Sequence, residues 1–283
     1  MGIKRSLANV AAGGLIGAAR LLGHQFFSYA VNRFMEDAAL VRRMPTPHGE
    51  VAFWAPNEMT WWRAQTLLTK EPETIEWIDG FGDGEVYWDI GANIGAYTLY
   101  AGMRPNLRVL AFEPSPFNYY ALCRNIALNG LSDKVAAYCL AINDVSTLNH
   151  LNMTNVEIGG ALSSFGQTTG YWGQALNPVF RQAMIGFSVD DFAARLAPPF
   201  PNHIKIDVDG IEAKIIEGAR HTLSDPRLKS LLIELDEKRT DEINTVSAVL
   251  QSCGLKLAQR RHSEMIENSE FASSYNFIFV RGS

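Results

Sequence analysis

Eight polar residues close apolar runs along this chain: Asp89, Glu113, Asn143, Asp144, Asp207, Asp209, Glu234 and Asp236. If those runs are strands of one open α/β sheet, the eight gather where such sheets bind ligands, outside the strands' carboxyl ends. The first pair carries a specific chemistry. Asp89 is followed by a turn bearing Gly91 and Gly95, then by a helix-compatible segment from Ala96 to Met103 and a second apolar run ending at Glu113-Pro114. Glu113 follows at close to the roughly 20 residues that separate a glycine turn from the acid accepting ribose hydroxyls. Strand, glycine turn, helix and acid-capped strand together form a half-site for a nucleoside cofactor.

The spelling of the turn narrows the cofactor. Asn93 stands where a dinucleotide fingerprint has its second glycine. Asn tolerates left-handed backbone angles, so the turn survives, but its side chain crowds the place a pyrophosphate needs. A cofactor without phosphates fits better, which argues against NAD.

Lys205 and Asp207 alternate onto one face of the run His203 to Val208. A lysine in a buried strand is costly unless paired, so a salt bridge to Asp207 or Glu234 is expected. Asp207 with Glu234 or Asp236 could hold a divalent cation such as magnesium. The lysine beside them already supplies positive charge, which weighs against a metal. His203, His221 and His262 show no metal spacing.

Three blocks in order, Asp-Ile-Gly-Ala-Asn-Ile-Gly from Asp89, Phe-Glu-Pro-Ser-Pro from Phe112 and Ile-Lys-Ile-Asp-Val-Asp-Gly-Ile-Glu from Ile204, resemble the FkbM family of S-adenosylmethionine-dependent methyltransferases. Ser188-Val-Asp-Asp-Phe192 precedes the third block, and the resemblance runs from about Thr74 to Asp236 with a looser tail to Val280. The family's third block more often reads Asp-Val-Glu-Gly, so Asp209 is a shorter acid at that place. The resemblance implies a Rossmann-like class I methyltransferase fold and S-adenosyl-L-methionine as cofactor. It implies that Gly91 and Gly95 bring backbone to the cofactor's amino-acid portion and that Asp89 orients that loop or the ammonium. Asn93 would bond the carboxylate or the turn, Glu113 the ribose diol, and Asn143 and Asp144 the adenine amino group. Asp207 would act as general base or orient the acceptor hydroxyl, Lys205 would keep it ionised, and Glu234 is the alternative base. Glu212, in a first helical turn, reads as a partner of the helix dipole.

The elements that must position these residues alternate as in a parallel sheet with crossover helices. Strands are expected at Val86–Ile90, Val109–Phe112, Lys134–Ile142, His203–Val208 and Leu228–Leu235, with Leu255–Arg260 and Tyr275–Val280 completing the sheet. Short hairpin strands are expected at 148–153, 162–165 and 184–188. Helices are expected near Thr74–Phe81 and over Pro116–Asn129, Ile211–Leu223 and Asp241–Ser252. Residues 1–73 read as a helical appendage and linker, and 74–283 as the cofactor-binding domain. Trp61 and Trp62 could line a substrate cleft or glue a helix to the core. The segment 166–182 could close over the acceptor, with Tyr171 and Trp172 stacking on it.

Composition sets the outer bounds. An apolar content of 47% supports a core, and a formal charge of −5 without a basic tract argues against nucleic acid as partner. Cys123, Cys139 and Cys253 lack zinc spacing and an even count, which reads as buried thiols in a reducing cytoplasm. Leu7, Val10, Gly14, Leu15, Ala18, Leu21 and Leu22 fall at helical spacing. That helix is expected to pack on the domain or a second subunit, or to dock on a membrane surface. The resulting expectation is an O-methyltransferase acting on a hydroxyl of a glycan or secondary metabolite. An NAD-dependent oxidoreductase and a catalytically silent binding protein on the same fold are the alternatives.

Overall fold

The computed structural model describes residues 10, 13–14, 16–17, 23–37, 40–170, 173–262, 264–269 and 271–282. Most of the expected N-terminal helix, including Leu7, Leu15, Ala18, Leu21 and Leu22, lies outside these residues, as do Tyr171 and Trp172. The chain forms two compact units, Met1–Val41 and Arg42–Ser283. The first contains α1 (His24–Asp37), on which Phe26 and Tyr29 are exposed. No helix among the described residues is long and apolar enough to cross a membrane.

The second unit is built on a seven-stranded sheet in the order β12-β13-β11-β10-β3-β4-β5. Its strands are β3 (Val86–Ile90), β4 (Arg108–Phe112), β5 (Val135–Tyr138), β10 (His203–Ile206), β11 (Ser230–Asp236), β12 (Leu255–Arg261) and β13 (Ser274–Arg281). Six run in one direction, and β13 alone among the seven runs against its neighbours β11 and β12. This is the expected Rossmann-like class I methyltransferase architecture. The order reverses between β10 and β3, opening a crevice at the carboxyl ends of those strands.

Every residue of β3 is buried, because helices cover both faces of a parallel sheet. Trp88 and Ile90 pack into one layer with Phe112, Ile204, Ile206 and Ile233. Tyr87 packs into the other with Leu99, Val109 and Leu122. Asp89 shares the face of Tyr87, and so does Lys205, its partner across the β10–β3 ladder.

The segment expected as an appendage contributes to that second layer. A hairpin of β1 (Val41–Thr46) and β2 (Gly49–Trp54) leads to α2 (Glu58–Gln65) and α3 (Pro72–Asp79). Val51, Phe53, Ala64 and Leu67 are buried beside Tyr87 and Leu122. Amides of α5 (Pro116–Leu128) and the residue after it complete the backbone bonding of β2: Asn125 Oδ1 accepts from Trp54 N at 2.6 Å, and Asn129 accepts from Ala52 N and donates to Ala52 O. Residue 74 therefore lies inside the compact unit rather than at its edge.

Two expected elements are divided. The run 134–142 breaks after Tyr138, and β6 (Ala141–Asn143) joins a separate four-stranded sheet with β9 (Phe180–Ser188), β7 (Thr147–Met153) and β8 (Ser164–Phe165). The helix expected over 211–223 is two, α6 (Glu212–Glu217) and α7 (Arg220–Ser224), separated at Gly218. A Cβ on Gly218 would lie 2.5 Å from the Asn143 carbonyl oxygen, so the two backbones touch there and the break admits β6. Of the three cysteines only Cys253 is buried; Cys139 is exposed.

Candidate active site

A cavity of about 710 Å³ opens at the carboxyl ends of the central strands, within the size range of small-molecule sites. Asp89, Gly91, Asn93, Glu113, Lys205, Asp207, Asp209 and Glu234 line it. Gly95 caps the helix Ala96–Met103 (α4) with φ +91°, at the foot of the same loop. Asn143, Asp144 and Asp236 are not among the lining residues, because β6 leaves the main sheet and Asp236 turns back to accept from Lys238 N.

The glycine turn is held from below. Gly91 N and Ala92 N both donate to Phe112 O, and Asn93 takes φ +51°, as its left-handed tolerance anticipated. Asn93 N donates to Glu113 Oε2 at 2.8 Å, and Ser115 N to Glu113 Oε1 at 2.8 Å. Glu113 thus clasps both βα turns. Burial raises its pKa to about 7, despite the opposing backbone donors. Asp89 is buried, and its Oδ2 accepts from Thr98 Oγ1 at 2.5 Å. Its Oδ1 has no hydrogen-bond partner among the described residues.

Beside Asp89 on the neighbouring strand, Lys205, 1% exposed, donates from Nζ to Asp207 Oδ2 at 2.5 Å. Its ammonium stands 5.0 Å from the Tyr97 ring centroid. Burial lowers the Lys205 pKa, but Asp207, Glu71 and Asp89 outweigh burial, so the amine is held protonated. Lys70 pairs with the buried Glu71 at 2.5 Å. Glu71, Asp207 and Glu234 bring carboxylate oxygens within 4.8 Å of one another. Burial and the neighbouring Asp207 raise the Glu234 pKa. The expected bridge to Lys205 forms with Asp207, and the acid cluster includes Glu71, which sequence spacing does not mark. Lys70 and Lys205 provide the positive charge within it.

A loop between β7 and β8 roofs the turn. Asn93 Nδ2 and Asn118 Nδ2 both donate to Gly160 O, at 2.9 and 3.0 Å. Asn118 Oδ1 accepts from Gly159 N, and Arg63 Nε donates to Gly159 O at 2.7 Å. Asp209 Oδ2 accepts from Ser163 N at 2.9 Å. Burial, with Asp207 adding repulsion, raises the Asp209 pKa to about 6. Asn93 therefore bonds the roof. Trp62 lines the cavity, whereas Trp61 stands exposed under the Arg42 guanidinium. Arg63, Lys70, Tyr97 and Asn118 were not singled out from sequence, because nothing in their spacing ties them to the glycine turn.

The arrangement fits S-adenosylmethionine. Asp89 and Glu113 are acids at the carboxyl ends of the neighbouring strands β3 and β4 and both line the cavity, the placement at which such sheets bind a nucleoside. The family model described as "Methyltransferase FkbM domain" matches residues 89–270. Methyltransferase sdnD of Sordaria araneosa is 45% identical over 62 residues, 21% of this chain and 24% of that protein. The 31-O-demethyl-FK506 methyltransferase FkbM of Streptomyces tacrolimicus is 24% identical over 175 residues, covering 54% and 66%. The hexuronic acid methyltransferase AglP of Haloferax volcanii is 23% identical over 168 residues, covering 57% and 61%. The chain spans less than two thirds of the length of each of these relatives. A family match over most of the second unit, on a sheet of the matching architecture, places this chain in the methyltransferase FkbM domain family.

Proposed function

We propose that this protein is an O-methyltransferase that uses S-adenosyl-L-methionine to methylate a hydroxyl of a glycan or secondary metabolite. The observation that carries the reading is the Lys205–Asp207 pair in one cavity with, and directly beside, the Asp89–Gly91–Glu113 half-site. The names of two relatives support oxygen and hydroxylated acceptors, one being a 31-O-demethyl-FK506 methyltransferase and the other a hexuronic acid methyltransferase.

Bound in the cavity, S-adenosylmethionine supplies a methyl group on a sulfonium, already activated for transfer. Gly91, in the cavity wall, would bring the turn to its amino-acid end, Gly95 starts the helix behind that turn, Asp89 orients the turn through Thr98, and Glu113 would accept from the ribose. Asn93 shapes the turn and ties it to the roof. The chain's remaining task is to present an oxygen nucleophile in line at about 3 Å and to take its proton. Asp207 Oδ2 is held by Lys205 Nζ, which leaves Oδ1 for the acceptor hydroxyl. Lys205, kept protonated by its acidic neighbours, supplies the counter-charge that orients Asp207. Glu234 stands close enough to receive the proton in turn, and its raised pKa suits that exchange.

A product-mass screen with isotopically labelled methyl donor, run against hydroxylated sugars and metabolites, tests the reaction. Transfer of the labelled methyl to oxygen supports it. Methylation of nitrogen or carbon alone, in an enzyme that binds the donor, overturns it.

A further inference from the structure

The mouth of the cavity differs in chemistry from its floor, and in a cavity that holds the methyl donor and a hydroxyl acceptor that difference selects the acceptor. Met59 and Trp62 of α2, with Leu67 just beyond, form one wall; Met265, Ile266 and Phe271 form another. Met59 is 40% exposed and Trp62 39%, although both are large apolar side chains. Apolar groups left open at the edge of a pocket mark a contact surface. Methionine adapts to irregular apolar shapes, and tryptophan offers a flat face. Trp62 and Met59 precede residue 89, where the family match begins, so this wall is supplied by the chain's own N-terminal segment.

The floor is rich in negative charge. Seven carboxylates line the cavity against three cations, Arg63, Lys70 and Lys205, among the described residues. The cations are already engaged: Lys205 by Asp207, Lys70 by Glu71, and Arg63 through Nε by Gly159 O. An acceptor bearing a carboxylate or phosphate would add to this repulsion, and each of these cations already has a partner. Polar side chains such as Glu58, Asn155, Glu157 and Ser269 also line the cavity, but its exposed large side chains, Met59, Trp62 and Met265, offer an apolar body more contact than a ring of hydroxyls. Resting on the donor and acceptor reading of the cavity, we infer that the acceptor is an uncharged alcohol carried on an apolar ring or chain, seated between Trp62–Met59 and Met265–Phe271, with its hydroxyl reaching Asp207.

The test is calorimetry on the full chain saturated with S-adenosylhomocysteine, using three probes: trans-4-phenylcyclohexanol, trans-4-phenylcyclohexanecarboxylic acid and methyl β-D-glucopyranoside. The alcohol is expected to bind at least about ten-fold more tightly than the acid or the glucoside, the effect of burying an apolar ring without a charge. Trp62→Ala and, separately, Met59→Ser are expected to weaken the alcohol by about ten-fold while S-adenosylhomocysteine affinity holds. Retained S-adenosylhomocysteine affinity also shows that each variant is folded. Binding of the acid or glucoside as tight as the alcohol, no binding of the alcohol, or alcohol affinity unmoved by both substitutions overturns the inference while leaving the donor site standing. Failure of S-adenosylhomocysteine to bind the wild-type chain removes the donor reading, and this inference falls with it.

Discussion

Gly91 and Asp207 meet backbone to backbone: a Cβ built on Gly91 would lie 1.8 Å from the Asp207 carbonyl oxygen. The turn that approaches the donor and the strand end that carries the proposed base are thus fixed against each other. Gly91 also has φ +90°, which L side chains rarely adopt. Gly91→Ala should therefore cost at least about 2 kcal/mol of stability from backbone strain alone, and more from the contact. Urea unfolding measures this, and an Ala variant as stable as wild type would show that the loop relaxes freely.

Lys205 is a buried cation among three carboxylates. Lys205→Met should destabilise by about 3–5 kcal/mol, because it removes the paired counter-charge of Asp207 and the neighbouring one of Asp89, while Glu71 keeps Lys70. Lys205→Met combined with Asp207→Asn should recover part of the loss. Additive losses in that double-mutant cycle would mean that the pair contributes no coupling.

Glu113 makes stability depend on pH in the donor-free protein. Its folded pKa, about 7, lies above its ordinary 4.5, so folding favours the protonated acid. The contribution is fully present below about 4.5 and is lost as pH rises through about 7. It amounts to up to about 3 kcal/mol. Thermal unfolding between about pH 5 and 8 should show this slope, and Glu113→Gln should flatten it. Glu113→Ala should also weaken donor binding by roughly 1–3 kcal/mol; an unchanged dissociation constant would place the ribose elsewhere.

Asp207→Asn keeps shape and removes charge. With a competent acceptor, turnover should fall by about 10²-fold or more while donor affinity changes little. Full activity would move the base to Glu234. Chelation by EDTA, followed by magnesium, tests the Glu71–Asp207–Glu234 cluster for a cation: abolished and restored turnover would establish one.

Removal of residues 1–34 should leave donor affinity intact, since every cavity-lining residue lies in the unit Arg42–Ser283. A folded truncated protein that no longer binds S-adenosylhomocysteine would contradict this. Sedimentation and vesicle-binding measurements on the same protein report whether the segment mediates association with a second copy or with lipid.

The sequence by itself determined the donor half-site and the frame around it. Asp89, Gly91, Asn93, Gly95 and Glu113 lie within one strand–turn–helix–strand unit, where local periodicity and turn chemistry fix what stands near what. The strand of Lys205 and Asp207 was legible for the same reason, since alternation alone puts both on one face. Tertiary structure decided what covers that face. Glu71, Lys70, Arg63 and Trp62 reach the cavity only because Val51, Phe53, Ala64 and Leu67 bury α2 and its hairpin against the sheet, a packing with no signature in spacing. The same limit explains Asn143 and Asp144: their apolar run reads as one strand, and only the close contact of β6 with Gly218 shows that it changes sheets. Contacts between residues near in sequence are set by backbone geometry, whereas contacts between distant segments are set by which apolar faces find each other, and these a single sequence leaves unstated.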